Sequence, residues 1–461
     1  MKKTILLFIV ILSMSQIIAK DISLGESIRL AKKQNKDLLS EKNSLASAEW
    51  AKKNAFTNFL PKVAYNSTMV RLDDDTYKES NKTMQIPVFG PNGMPNGNYI
   101  PFSGATMSGG IYKTSFNNSI TVQQPIYNGG KVILGYQLSK LAKEQAIFSL
   151  QSKENDITFL VASTYFNILK IQDVLILSQK SVGSSKAHLK KVRDNYQAGI
   201  SKKSDVLQWE VKLQNDETSL NEIKNNLDVL LTVWKNLLGT DDELYYPQKI
   251  NVEKFDAEIE KYASIKNEQF EKEVTKILDK TKENNPVLKT LSTTDKIMDK
   301  QLLMAKGNFL PSLNLQFSYQ IENDNKFDFS GEDNWNLVAA FSFPLFSSGA
   351  NFTNMKKTKY DVKKTKLTLE STKDNVLVGA KNTFYNLVTK AQTVENNKSA
   401  LAFAKENHKL INNLFEQGMI TNSDLMDADI MLFASKMNLV SSYYDFLISK
   451  YELIKFTNEK E

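Results

Sequence analysis

The sequence has no cysteine and only two histidines in 461 residues. The first absence excludes disulfides, thiolate metal sites and cysteine nucleophiles. The second argues against a histidine-rich metal centre. No Gly-rich phosphate loop, His-Glu-x-x-His or Gly-x-Ser-x-Gly motif occurs, so no enzyme, no cofactor and no metal site is expected. Charge of one sign is also lacking. Lys and Arg number 59 against 52 Asp and Glu, a net charge of +7, which is too small and too dispersed for a nucleic-acid footprint. Long apolar runs are missing too. The stretch Ile5 to Leu12 follows Lys2 and Lys3 and precedes Ile17-Ile18-Ala19, which is the pattern of a signal peptide over 1–19. It falls short of the ~20 residues a membrane-spanning helix needs. The mature chain is expected to start near Lys20, outside the inner membrane and without a cysteine there to carry lipid. With no long apolar run after it, membrane insertion is left to strands.

What is present is a duplication. The stretch from Phe415 to Asp427 ends a heptad pattern, is interrupted by Gly418, and offers Ser423 or Asp424 as the cap of a new helix. The same plan occurs from Tyr196 to Leu207. Gly418 stands 219 residues after Gly199, and Asp424 stands 219 after Asp205. Thr383-Phe-Tyr-Asn386 follows Thr164-Tyr-Phe-Asn167, and Pro344 follows Pro125, by the same interval. Asn308-Phe309-Leu310-Pro311 repeats Asn58-Phe59-Leu60-Pro61 at an interval of 250, as Asn285 and Leu288 repeat Asn35 and Leu38. The two intervals differ by the extra length of the first inter-strand connection.

Each half reads as helix, strand, loop, strand, long helix, turn, helix. The first repeat, 20–238, begins with a helical pattern over 22–60. Strands follow at about 61–72 and 110–125, then a long helix at about 130–197 and a return helix at about 204–238. The acidic, Gly/Pro/Asn-rich residues 73–110 read as a long surface loop. Residues 239–275 form the connector between the repeats. The second repeat, 276–461, has strands at about 311–322 and 334–344, a long helix at about 349–416 and a return helix at about 423–457. Small and apolar residues recur at alternating spacings of four and three from Ile157 to Tyr196, the signature of a left-handed coiled-coil seam. They resume from Val206 to Leu237 with Asp216 as the single charged member. His408 falls on the second seam, aligned with Leu189, and reads as a packing histidine rather than a ligand. Pro61, Pro125, Pro311 and Pro344 mark transitions between helix and strand.

A helix over 131–196 would be ~100 Å long at 1.5 Å per residue, and it needs neighbours on both sides. The strands, about ten residues each, match the length of a tilted outer-membrane strand. Four strands cannot close a barrel, because bacterial examples begin at eight. An open sheet in lipid would leave edge groups unpaired. Either the strands are not in a membrane, or several chains share one barrel; a trimer with twelve strands is the smallest cyclic solution that leaves a channel.

In its leader, its duplicated plan, its Asn-Phe-Leu-Pro sequences, Gln124-Pro125, Phe343-Pro344 and its paired Gly-x-x-x-x-Ser-Asp turns, the chain resembles the TolC family of outer-membrane efflux channels. The resemblance implies an α+β membrane protein. Three chains would form a twelve-stranded β-barrel, four strands per chain, continued by a long α-helical coiled-coil tunnel in the periplasm, with 239–275 in an equatorial segment. It further implies a passive exit duct in outer-membrane lipid, serving tripartite efflux or type I secretion. A periplasmic adaptor would link it to an inner-membrane transporter. The competing reading is a periplasmic or surface trimeric coiled-coil protein, structural or an adaptor.

For single residues the bland reading of Asp424 and Asp427 is helix capping and dipole compensation. The resemblance implies that they ring a narrow periplasmic entrance as an electronegative constriction. Asp205 aligns with Asp424, but Gln208 replaces Asp427, so the first turn lacks the pair. Gly199 and Gly418, with Ile200 and Met419, form turns that the resemblance assigns to adaptor contact. A tyrosine and an arginine that hold the archetype shut are replaced by Phe415 and Ile420. Lys202, Lys203 and Asp205 are the candidate closure residues, with Lys202 or Lys203 as the partner for Asp424.

Overall fold

The computed structural model describes residues 20–80, 82–103, 112–240, 245–324 and 326–459; the leader 1–19 lies outside them. The short strand β1 (Lys20–Ile22) leads into helices α1 (Leu24–Gln34) and α2 (Lys36–Thr57). Strand β2 (Lys62–Arg71), helix α3 (Asp74–Ser80) and strands β3 (Thr83–Phe89), β4 (Pro95–Ser103) and β5 (Thr114–Asn128) follow. Two long antiparallel helices come next, α4 (Lys131–Gln197) and α5 (Lys203–Leu238). The connector holds strand β6 (Tyr245–Pro247), a 3-10 turn at Val252–Phe255 and helix α6 (Asp256–Ala263). The second half has helices α7 (Asn267–Asn284) and α8 (Pro286–Lys306), strands β7 (Ser312–Asp324) and β8 (Glu332–Ser342), then α9 (Ala350–Glu416) and α10 (Asn422–Thr457).

Several expectations need correction. Residues 22–60 are two helices, because Asn35 takes φ −58° and ψ 124°, outside the helical region. Residues 73–110 are not a bare loop. They contain α3 and the β3–β4 hairpin, paired from Thr83 opposite Ser103 to Phe89 opposite Pro95, while 104–111 lie outside the described residues. The Gly/Pro/Asn cluster is the tip of that hairpin, and its prolines are tolerated because both strands of a two-stranded sheet are edges. Helix α7 begins inside the expected connector. Pro61 and Pro311 immediately precede β2 and β7, and Pro344 follows β8, but Pro125 lies inside β5, at a bulge between Pro125 and Tyr127. Pairing of β5 with β2 stops at Gln123, so the missing N–H of Pro125 interrupts no ladder on that side.

The chain divides into two compact units, one of residues 48–142 and 296–366 and the other of 20–47, 143–295 and 367–459. The first contains an antiparallel sheet in the order β2-β5-β7-β8. Alternation gives it two different faces. One carries cross-strand rows Val63, Val122, Phe317, Leu337 and Tyr65, Ile120, Tyr319, Trp335. The other carries Ala64, Thr121, Ser318, Asn336 and Asn66, Ser119, Gln320, Asn334. On the apolar face Val63, Leu337 and Trp335 are each about two-thirds exposed, at 67%, 63% and 67%. Asn118 on that face is buried, and its Oδ1 accepts from Tyr65 Oη at 2.9 Å and Ser67 Oγ at 2.8 Å. Among the described residues the sheet is open: β2 and β8 each have one neighbour.

The second unit has a core of Ile157, Val161, Tyr165 and Ile168 from α4, Trp234 and Leu238 from α5, Phe384 and Leu387 from α9, and Tyr444 and Phe446 from α10. This explains a further correction. By length and composition α4 could cross a membrane, with an apolar window of mean hydropathy 1.4, against the expectation that no such run remains. Part of that window packs in the core, where Val161 and Ile168 are fully buried, and 44% of it is buried in all.

The duplication is visible atom by atom. Asn35 ends α1 and Asn285 ends α7. The Oδ1 of each accepts from a backbone N–H three residues on, Leu38 at 3.1 Å and Leu288 at 3.3 Å. The Nδ2 of each donates to a carbonyl at the end of a return helix, Leu237 at 3.0 Å and Phe456 at 2.9 Å. Those helices then stop in left-handed residues, Gly239 (φ 71°) and Asn458 (φ 53°). Replacing Asn35 or Asn285 by Ala strands buried groups, so each variant is expected to lose about 1–3 kcal/mol and to melt at lower temperature by circular dichroism; an unchanged melt removes the wedge role. A Cβ on Gly239 would stand 2.5 Å from the Gln34 carbonyl oxygen, whereas at Gly418 (φ 73°) nothing lies within 4 Å. Gly418→Ala therefore costs only the left-handed conformation, about 1–2 kcal/mol, and Gly239→Ala is expected to lower the same melt further.

Candidate functional site

The paired turns close in the same way. The amide of Ile200 donates to Asn195 O at 2.8 Å and that of Gly199 to Tyr196 O at 3.0 Å. In the second turn Met419 donates to Leu414 O and Gly418 to Phe415 O, both at 3.0 Å. This is the Schellman closure, which requires a left-handed residue; Gly199 and Gly418 both have φ 73°. Ile200 and Met419, 76% and 68% exposed, are apolar side chains at the tips.

Helix α10 is capped by Thr421, not by Ser423 or Asp424. Asp424 is the third residue of a capping box: its Oδ2 accepts from Thr421 N at 2.9 Å and Thr421 Oγ1 at 2.6 Å, and its own amide donates back to Thr421 Oγ1 at 3.3 Å. The Thr421 hydroxyl and amide hold its carboxyl below the ordinary carboxylate value. Asp205 does the same for α5, accepting from Lys202 N at 3.0 Å. The local capping role and an exposed carboxylate coexist, since Asp424 and Asp427 both face solvent while Leu425 and Ala428 turn inward. Lys202 and Lys203 are exposed, and among the described residues of one chain neither pairs with Asp424.

Three contacts tie the hairpin α4–α5 to the hairpin α9–α10 near these turns, through Trp209, Lys191 and His188, and two more brace them from within each hairpin. Trp209, 1% exposed, donates Nε1 to Asn422 Oδ1 at 2.8 Å. The ammonium of Lys191 stands 5.5 Å from the centre of the Phe415 ring, a cation–π arrangement. His188 stacks on Trp209 with centroids 4.7 Å apart, and its Nε2 lies 3.2 Å from Asp429 Oδ2. His408 Nε2 approaches the other oxygen, Asp429 Oδ1, at 2.7 Å. Burial disfavours the charged form of Asp429, but the hydrogen bonds and charges of His188 and His408 outweigh it and hold the carboxyl below its usual value. Sequence reasoning placed His408 as a packing residue and gave Asp429 no role. The one available signal was that His188 and His408 lie 220 residues apart, one off the repeat interval. Asp216, the charged seam residue, is bonded to Ser185 Oγ at 2.6 Å and paired with Lys212.

The sequence profile of the family described as "Outer membrane efflux protein" matches residues 27–240 and 277–459. The chain is 22% identical to the outer membrane protein TolC of Salmonella enteritidis over 367 residues, 76% of this chain and 71% of that one. It is equally identical to TolC of Escherichia coli (strain K12), over 368 residues. Among solved structures, the CmeC outer membrane channel of Campylobacter jejuni superposes with a TM-score of 0.74 at 17% identity, covering 94% of this chain and 85% of that one. The MtrE outer membrane channel of Neisseria gonorrhoeae gives 0.72 at 14% identity, covering 96% and 93%. The profile spans both repeats, turns included, and the fold agrees over nearly the whole described length. The chain therefore belongs to the outer membrane efflux protein family, the TolC family, and is an outer-membrane efflux channel rather than an enzyme.

Proposed function

We propose that three copies of the chain form one twelve-stranded barrel and a helical periplasmic tunnel. It would serve as the passive exit duct of a tripartite efflux or type I secretion system. The observation that carries this reading is the open, two-faced sheet. Its apolar rows fit lipid and its Ser, Thr, Asn and Gln rows fit a water-filled lumen. Its free edges on β2 and β8 are intolerable in hydrocarbon unless strands of neighbouring copies pair with them. The rival reading as a coiled-coil adaptor gives that sheet no use.

At the other end, threefold symmetry would bring six carboxylates, Asp424 and Asp427 from each copy, around one axis as a filter for cations. Lys202 or Lys203 of an adjacent copy would be the partner of Asp424 in the closed state. The apolar tips Ile200 and Met419, beside Gly199 and Gly418, would receive the periplasmic adaptor, through which an inner-membrane transporter supplies the energy.

Face assignment is tested on adjacent residues of β8. Leu337→Arg, in the apolar row, should cost about 2–4 kcal/mol and sharply reduce heat-resistant trimer in outer-membrane fractions. Asn336→Arg, one residue away on the polar face, should assemble normally; equal behaviour would reject the barrel. In planar bilayers, Asp424→Ala combined with Asp427→Ala should raise single-channel conductance and weaken block by multivalent cations, and unchanged block would remove the ring.

A further inference from the structure

The only two histidines of the chain meet on one carboxylate, and the three residues come from three helices. His188 is on α4, His408 on α9 and Asp429 on α10. A second rung of identical plan lies further from the turns. Lys170 of α4 reaches Asp445 Oδ1 at 3.1 Å and Lys390 of α9 reaches Asp445 Oδ2 at 3.3 Å. Both histidines follow their lysine counterparts by 18 residues, and Asp445 follows Asp429 by 16 on the antiparallel α10. At 1.5 Å per residue the rungs are separated by roughly 25 Å. The structure thus holds two clasps of one geometry that differ in the chemistry of their cations.

We propose that His188–Asp429–His408 is a proton-responsive clasp that tightens the two hairpins at the entrance end as pH falls, while the lysine rung above it holds at all working pH. Lysine as a class keeps its charge between pH 5 and 8; imidazole is the side chain that changes charge there. Protonation turns each Nε2–H bond to the Asp429 carboxylate, already assisted by one charge, into an ion pair with opposite charges in direct contact. It also places a cation on the face of Trp209. The other ionisable groups lining the adjoining cavity of about 220 Å³ are Lys180 of α4, Lys212 of α5 and Lys436 of α10. Lys212 is already neutralised by Asp216. Lys180 and Lys436 repel an imidazolium, but the Asp429 oxygens at 2.7 and 3.2 Å are in direct contact and dominate.

The consequence for gating rests on the exit-duct reading above, but the clasp can be measured without it. The chain has no cysteine, so Ile200→Cys with Met419→Cys gives one spin-label pair across the two exposed turns. Labelled full-length chain would be diluted into unlabelled chain and reconstituted in nanodiscs. The distance distribution between labels should lose its long-distance tail on going from pH 7.5 to 5.5. His188→Gln with His408→Gln should abolish that difference, His188→Gln alone, which removes the bond between the hairpins, should remove most of it, and Lys170→Gln, which removes the corresponding bond of the lysine rung, should leave it in place. A wild-type distribution that is the same at both pH values, or a double variant that keeps the difference, overturns the clasp. Bilayer recordings at the same two pH values then test the gating consequence, with a lower open fraction expected at 5.5. If the channel does not conduct at either pH, the duct reading fails while the distance measurement still decides the clasp.

Discussion

A backbone N–H or C=O facing hydrocarbon has no water to turn to, and this constraint governs how the chain can be used. The sheet β2-β5-β7-β8 satisfies its interior ladders and leaves two edges open. Its apolar face makes the same demand, since a soluble protein rarely leaves such contiguous rows uncovered. One chain can meet neither requirement. The proposed ring of identical edges would meet both with four strands from each copy.

Duplication supplies the internal economy of the fold. The return helices end against the same device twice, an asparagine that breaks one helix and donates to the last turn of another. The two uses share a carbonyl acceptor, a left-handed stop and an interval of 219 residues between stops. The repeats diverge where packing constraint is weakest. The extra length of the first half sits in α3 and the β3–β4 hairpin, between strands that both halves retain.

Much of this was legible because it depends on local signals. Glycine is needed where φ is positive, proline precedes a strand, and a heptad outlines a seam. The break at Asn35 was not legible, since its geometry depends on an acceptor about two hundred residues away. Pro125 misled for a related reason: it reads as a strand end, yet β5 simply outlasts its neighbour β2 there. Thr421 was passed over as a cap because Ser423 and Asp424 are equally good caps by composition, and only the backbone geometry decides between them. The Asp429 cluster gave no pattern at all, because its members sit on three helices and the histidines are one residue out of repeat register.

That cluster bears on how the entrance is held. Phe415 and Ile420 cannot make the polar bridges that the family resemblance led one to expect, and the structure uses Phe415 differently, as a ring under the Lys191 ammonium. The hairpins are instead joined by an indole–amide bond at Trp209 and by His188, which reaches the Asp429 carboxylate that His408 braces from its own hairpin. A carboxylate shared by two imidazoles is directional, and both of its oxygens are committed. Withdrawing either partner leaves a half-buried charge under-bonded, which makes such a joint stiff against small displacements. The lysine rung repeats the plan further from the turns, so the histidine rung is the one of the pair nearer the segment that carries Asp424 and Asp427.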